Sequence, residues 1–266
     1  MGYVLVTNDD GVDSPALVPL IRALEPLAPV RTVVPSSERS WISKAISRWD
    51  EIRVERVERQ GIEIHAIDGF PADCTNLGVH SLFEEPPDMV VSGINIGLNS
   101  GLGFFLSSGT VGAATEGWIA GLPALAFSVG SAGIDRDWKA RAAAGGNEEL
   151  WRRAAALSAD VVKDVRELGF PPGVDLLNVN FPVEAGIDTR RVVTHIANVG
   201  YGALFRRESG DVFVHDYAGE LRVGASLDGS DIGVVREGWV SITPIRLAHT
   251  AELGDPVRRR LERAGS

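Results

Sequence analysis

The stretch Tyr3-Val4-Leu5-Val6-Thr7-Asn8-Asp9-Asp10-Gly11-Val12-Asp13-Ser14-Pro15 decides the fold class. Tyr3 to Thr7 is an apolar run of strand length. After the polar Asn8-Asp9-Asp10-Gly11, Ser14-Pro15 reads as an N-cap followed by proline at the first helical position. Leu17, Leu20, Ile21 and Leu24 continue at helical spacing to about Leu27, and Val30 to Val34 reads as a second strand. Strand, helix, strand is the signal of a βα unit in a parallel sheet. Further strands are expected at Ile52–Val57, Ile62–Ile67, Met89–Val91, Ala124–Val129 and Leu176–Phe181. Helices are expected at Ala72–Phe83, Thr110–Ala120 and Trp151–Leu168, with 131–149 as an exposed polar loop. From about Arg190 the pattern turns to β-rich segments with glycine turns, including Phe205–Tyr217 and Trp239–Ile245, read as hairpins of an oligomerisation arm. Thr250–Arg263 reads as a terminal helix whose Arg258-Arg259-Arg260 run is a solvated face. The expectation is an α/β fold with a mostly parallel sheet flanked by helices. Residues 1–189 form the core; 190–266 form the arm, a returning strand and the last helix, within one structural unit.

Composition narrows the function. A chain of 266 residues that is 44% hydrophobic can bury a large core. Its 26 Lys and Arg against 36 Asp and Glu give a net charge of −10, which argues against a general nucleic-acid binder. No apolar run is long enough to span a membrane, and the N-terminus enters a strand without a signal-peptide pattern. Cys74 is the single cysteine, so a reducing, cytoplasmic setting is expected.

Three loops follow separate strands: Asn8-Asp9-Asp10-Gly11, then Arg39-Ser40, then Ser92-Gly93-Ile94-Asn95. In an open parallel sheet such loops share the edge at the strands' carboxyl ends. Adjacent Asp9 and Asp10 at a crowded strand end call for a counter-charge, and a divalent cation is the simplest; capping plus solvation is an even alternative. Ser40 also reads as a turn residue, and Asn95 and Asn99 as left-handed turn residues among glycines. Read functionally, these oxygens complete a shell for a hard ion, Mg²⁺ or Mn²⁺. The five histidines lack paired ligand spacing, which disfavours zinc and marks them as structural. Ser107-Ser108-Gly109-Thr110 opens a helix of small residues and suits either phosphate or ordinary capping. A Walker A motif is absent, and the Asp-x-Asp of haloacid-dehalogenase phosphatases does not match adjacent carboxylates.

The string Val4-Leu5-Val6-Thr7-Asn8-Asp9-Asp10-Gly11, Arg39-Ser40 and Pro87-Asp88-Met89-Val90-Val91-Ser92-Gly93-Ile94-Asn95-x-Gly97-x-Asn99 resembles the SurE (survival protein E) family. So do Ser108-Gly109-Thr110-Val111-Gly112-Ala113-Ala114-x-Glu116-Gly117, Pro71-x-Asp73-Cys74, Asn178-x-Asn180-x-Pro182 and Ser241-x-x-Pro244. The resemblance spans about residues 3–245. It implies a Rossmann-like core with a dimerisation arm, in a homodimer or homotetramer, and a metal-dependent phosphatase acting on nucleoside 5′-monophosphates. By position it implies one Mg²⁺ or Mn²⁺ per subunit on Asp9, Asp10, Ser40 and Asn95, with Asp9 and Asp10 catalytic. Asn95, Asn99, Ser108, Gly109 and Thr110 would face a small phosphorylated substrate. The family usually has Gly-Thr-Pro at Gly69-Phe70-Pro71, Tyr-Ser-Gly-Thr at Ser107–Thr110, Arg-Ser-Gly at Arg39-Ser40-Trp41 and Thr-Asp at Ser230-Asp231. Trp41, Phe70 and Ser107 therefore open the alternative of a phosphatase dedicated to a phosphorylated biosynthetic metabolite; a nucleotide binder without turnover is a second alternative, against which the intact Asp9, Asp10, Ser40 and Asn95 argue.

Overall fold

The computed structural model describes residues 2–131, 137–217, 221–224 and 226–262. Its first strand, β1 (Val4–Thr7), is buried on both faces, so helices have to cover both sides of the sheet it joins. The chain supplies them in alternation: α1 (Leu17–Leu24), β2 (Val30–Pro35), β3 (Val54–Arg59), β4 (Ile62–Ile67), α2 (Pro71–His80) and β5 (Met89–Ile96). Next come α3 (Leu102–Ser107), α4 (Gly109–Ile119), β6 (Ala124–Gly130), α5 (Trp138–Ala143), α6 (Glu148–Leu168) and β7 (Leu176–Pro182). The remainder comprises β8 (Arg191–Val193), β9 (Val199–Tyr201), β10 (Phe205–Ser209), β11 (Val212–His215), β12 (Leu221–Val223), α7 (Asp231–Arg236), β13 (Val240–Ile245) and α8 (Asp255–Leu261).

The main sheet runs β3-β4-β2-β1-β5-β6-β7-β13-β8. From β4 through β7 every neighbouring pair is parallel, while β3 and β13 run antiparallel to β4 and β7. The α/β expectation holds. One face buries Leu17, Leu20 and Ile21 of α1 with Trp151, Leu157 and Val162 of α6. The other buries Cys74 and Val79 of α2 with Val111 and Ala114 of α4. β1 is followed by β2 on one side and flanked by β5 on the other, so the chain changes direction there and opens a crevice at their carboxyl ends.

Several local readings need correction. Ala16, not Ser14, occupies the N-cap of α1 and no side chain caps it; the turn after β1 takes up the residues between. The glycine-rich stretch contains α3, and 131–149 contains α5, whose Ala142 is buried; residues 132–136 lie outside the described residues. The region 190–245 is not all hairpins. β10 and β11 form one, β9 pairs with β12, β8 joins the main sheet beside β13, and α7 precedes β13. The terminal helix is limited to Asp255–Leu261, and the expected Arg263 lies outside the described residues. No helix among the described residues is long and apolar enough to cross a membrane.

Asp231, at the start of α7, ties this later segment to the crevice. Its Oδ2 accepts from the Gly101 N–H at 2.7 Å, and its Oδ1 from the N–H groups of Ala197 and Ile232 at 2.9 and 2.8 Å. Asp231→Ala leaves those donors unpaired, so a loss of about 3 kcal/mol is expected in urea unfolding. A loss under about 1 kcal/mol would show that the carboxylate is not the tie.

Candidate functional site

At the end of β1 the Asn8 side chain closes the turn. Its Nδ2 donates to the Gly11 carbonyl and its Oδ1 accepts the Gly11 N–H, both at 3.0 Å. Gly11 sits at φ +87°, and a side chain there would fall 2.9 Å from the Ser37 carbonyl carbon. The loop after β2 is therefore flush with the acidic turn, and the Arg39 N–H fastens it by donating to the Asp9 carbonyl at 2.7 Å.

Asp9 is buried, and Thr110 Oγ1 donates to its Oδ1 at 2.6 Å. A Cβ on Gly109 would lie 2.8 Å from Asp9 Cβ. The first turn of α4 thus stands directly against this carboxylate, with the positive end of the helix dipole toward it. Asp10 Oδ2 accepts the Ile96 N–H at 2.9 Å, linking the ends of β1 and β5. Asp10 Oδ1 faces Lys139 Nζ at 3.0 Å as an ion pair without hydrogen-bond alignment. Lys139 Nζ also donates to Glu38 Oε1 at 2.6 Å and Ser40 Oγ at 2.9 Å, while Ser40 Oγ donates to Glu38 Oε1 at 2.6 Å.

These contacts set the charge balance. Burial, then the Asp10 charge, pushes the Asp9 carboxyl up to about 7 against the opposing Thr110 hydrogen bonds. Burial also raises Asp10, although Lys139 and the Ile96 N–H pull it back. Burial alone would depress the Lys139 ammonium, but Asp10 and Glu38 outweigh it and hold it above its usual value. Glu38 feels some burial, yet its bonds to Lys139 and Ser40 bring it below its usual value.

The other expected residues fall around the same edge. The β5–β6 register slips between Ser92 and Asn95, bending the end of β5. Asn95 Nδ2 donates to the Gly97 carbonyl at 2.6 Å, which leaves its amide oxygen as the end able to meet a cation. Asn99 is buried in a network: its N–H donates to Asn180 Oδ1 at 2.7 Å and its Nδ2 to Ser128 Oγ at 2.8 Å. Ser108 is the N-cap of α4, its Oγ accepting from the Val111 N–H at 3.1 Å. Thr110 is turned onto Asp9. Asp9, Ser40, Asn95, Asn99 and Ser108 line one cleft of about 450 Å³ with Glu38 and Lys139.

The same cleft has an aromatic end formed by Trp41, Phe104 and His215. Trp41 has φ +59°, a left-handed conformation that costs a non-glycine residue about 1–2 kcal/mol. The loop holding it is pinned beyond. Ser43 Oγ donates to the Leu106 carbonyl at 2.8 Å, Ser47 Oγ to Asp73 Oδ2 at 2.7 Å, and Lys44 pairs with Glu116. Phe70 does not line the cleft; the Arg39 guanidinium lies over its ring at 5.8 Å.

Glu38, Lys139, Phe104 and His215 were not among the residues expected in the site. Lys139 sits in the stretch read as an exposed loop, and His215 among histidines read as structural. A lone lysine after a glycine-rich loop carries no local signal of an acidic partner far back in sequence.

A divalent ion suits this donor set. Asp9 and Asp10 are carboxylates held out of water, Asp10 Oδ1 has an ion-pair partner but no aligned donor, and Ser40 and Asn95 add neutral oxygens at the cleft wall. Among the described residues no three His, Cys, Asp or Glu side chains form a metal cluster, so the charge would rest on the Asp pair.

The SurE family model, described as survival protein SurE, matches residues 4–203. The chain belongs to the SurE family. It is 34% identical to the 5′-nucleotidase SurE of Methanothrix thermoacetophila, over 95% of this chain and 96% of that protein. It is 36% identical to the 5′-nucleotidase SurE 1 of Thermus thermophilus, over 93% of each. The crystal structure of the SurE protein from Aquifex aeolicus superposes with a TM-score of 0.72 at 28% identity, covering 97% of both chains. In this SurE chain the departures at Trp41 and Ser107 line the cleft, whereas Ser230 caps α7, its Oγ accepting from the Gly233 N–H.

The raised Asp9 carboxyl gives a stability test. Its folded value lies above the unfolded value of about 4, so the fold binds the extra proton between about pH 4 and 7 and loses stability as pH rises through that window. Asp9→Asn keeps an acceptor for Thr110 but cannot ionise. In chelator-treated protein its stability relative to wild type is expected to climb from pH 5 to 8 by on the order of 2 kcal/mol. Parallel stability curves for the two proteins would refute the assignment.

Proposed function

We propose that this SurE chain is a metal-dependent phosphomonoesterase that hydrolyses nucleoside 5′-monophosphates to nucleoside and inorganic phosphate. One observation carries the reading: a single cleft is lined by the buried carboxylate of Asp9, the oxygen donors Ser40 and Asn95, and the rings of Trp41, Phe104 and His215, with Asp10 behind it held by the Ile96 N–H and Lys139. Asp9, Asp10, Ser40 and Asn95 would hold one Mg²⁺ or Mn²⁺, which when bound supplies Lewis acidity toward a phosphoryl oxygen and acidifies water.

The chain's own residues define the rest. Thr110 and the first turn of α4 fix the orientation of Asp9, and the Ile96 N–H fixes that of Asp10. Asp9, held by Thr110 at the cleft wall, is placed to take the proton from an attacking water. Lys139 places a positive charge in the cleft wall, where it would meet the phosphate oxygens of an entering ester. Ser108 lines the phosphate end, while Gly109 and Thr110 act through Asp9 and Asn99 holds the floor of the cleft through Ser128 and Asn180. Hydrolysis breaks the bond from phosphorus to the ester oxygen. The water oxygen goes to phosphorus and a proton to the departing alkoxide.

The segment after residue 190 exposes Phe205, Val212, Phe213 and Val223, apolar surface that supports a homodimer or homotetramer through this arm. Cys74, buried and free, suits a reducing cytoplasm.

Phosphate release measured over a panel of nucleotides and sugar phosphates, with and without added Mn²⁺ or Mg²⁺, tests the reading. Nucleoside monophosphates are expected to lead, and EDTA to abolish turnover reversibly. Uniformly poor nucleotide turnover beside one well-used sugar phosphate would favour a dedicated metabolite phosphatase. Tight nucleotide binding without release would indicate a binder. Asp10→Asn is expected to lower kcat at least about 100-fold with an unchanged circular dichroism spectrum; full activity of that variant in metal-free buffer would end the hypothesis.

A further inference from the structure

The phosphoryl chemistry itself makes no use of the rings of the cleft, and hydrolysis alone does not fix what they select. Trp41 stands at their centre, with ring centroids 5.9 Å from Phe104, 5.3 Å from Tyr201, 5.2 Å from His215 and 5.7 Å from Tyr217. These partners come from α3, β9, β11 and the residues just after β11, so three separate parts of the chain converge on one indole. Every contact is edge-on or tilted rather than stacked, and Trp41 remains 37% exposed beside the cleft. Its left-handed backbone marks a position that glycine would occupy without strain, and a large ring held there against that strain calls for a use.

Two hydroxyl groups near these rings are engaged. Ser107 Oγ donates to the Gly103 carbonyl at 2.8 Å and lies 2.9 Å from the Tyr201 hydroxyl. The carboxylates and the ammonium are gathered around Asp10 and Ser40 and paired with one another. An entering ester whose phosphate meets Lys139 therefore presents its leaving group to rings. Rings attract planar aromatic groups through dispersion and quadrupole contacts, and every nucleobase offers such a face.

We propose that Trp41, flanked by Phe104 and His215, is a stacking platform that selects phosphate esters with a planar aromatic leaving group by ring area rather than by base-edge hydrogen bonds. The proposal rests on the phosphomonoesterase reading and narrows it. Purine nucleotides rank above pyrimidine nucleotides, aryl phosphates are accepted, and small aliphatic phosphates rank low. Discrimination among bases stays within about 100-fold, the limit of a pocket that reads by apolar contact.

The experiment compares Trp41→Gly, which relieves the backbone strain, and Trp41→Phe, which keeps a ring, with wild type. The substrates are AMP, UMP, p-nitrophenyl phosphate and glycerol 2-phosphate, assayed with Mn²⁺. The kcat/KM ratio of AMP over glycerol 2-phosphate is expected to fall about 10-fold in Trp41→Gly, mainly through KM, and to stay within about threefold of wild type in Trp41→Phe. Adenosine, which carries no phosphate, is expected to bind wild type in calorimetry and not Trp41→Gly. An unchanged ratio, or a gain on AMP in Trp41→Gly as a plug would give, overturns the platform. If wild type releases no phosphate from any of the four esters, the phosphomonoesterase reading fails. Adenosine binding then decides the platform alone: loss in Trp41→Gly supports it, and equal binding or none in wild type refutes it.

Discussion

Two neighbouring carboxylates kept out of water are tolerable only in a positive environment, and much of the surrounding chain is arranged to provide one. Asp9 receives the Thr110 hydroxyl and the start of α4. Asp10 receives the Ile96 N–H and the Lys139 ammonium. These partners come from α4, β5 and α5, so the sheet order, the bend at the end of β5 and the placement of α4 and α5 all serve one pair of side chains. Glycine at 109 follows from the same demand, because any side chain there would occupy the space of Asp9.

The cost of that concentration of charge is spread over neighbours already bonded to one another. Lys139 is shared among Asp10, Glu38 and Ser40, so moving any one of them changes the field at the others. The contact with Asp10 is buried on the carboxylate side, where a charge pair is screened less than at a free surface, whereas those with Glu38 and Ser40 are exposed. The loop bearing Ser40 and Trp41 has no regular structure of its own. It keeps its shape through Arg39, Ser43, Lys44 and Ser47, each reaching to a different element.

The sequence made the sheet legible because β1, β5, β6 and β7 are short apolar runs between helical patterns, a signal carried by each segment alone. Asp9, Asp10, Ser40 and Asn95 were legible as loop residues after strands, since topology alone brings strand ends to one edge. The boundaries were less so: α3 is hidden among glycines that read as turns, and the N-cap of α1 falls on Ala16, where nothing in the residue type announces it. Lys139 and His215 were invisible as site residues, because their meaning lies in partners about a hundred or more positions away. Trp41 was visible as a departure, but its left-handed backbone and its four ring neighbours exist only in the folded chain. Thr110 shows the reverse case: a motif read as facing phosphate is turned, hydroxyl first, onto a carboxylate.

The cleft is assembled from two sources, and among the described residues the aromatic one makes no hydrogen bond to the acidic pair. The charged half belongs to the ends of β1 and β5, the loop after β2, and the first turns of α4 and α5, whereas Phe104, Tyr201 and His215 come from a short helix and from strands beyond residue 190. A replacement at 104, 201 or 215 can therefore remodel one wall while leaving every contact of Asp9 and Asp10 in place. Such modularity lets a lineage retune what it discriminates without rebuilding what it hydrolyses.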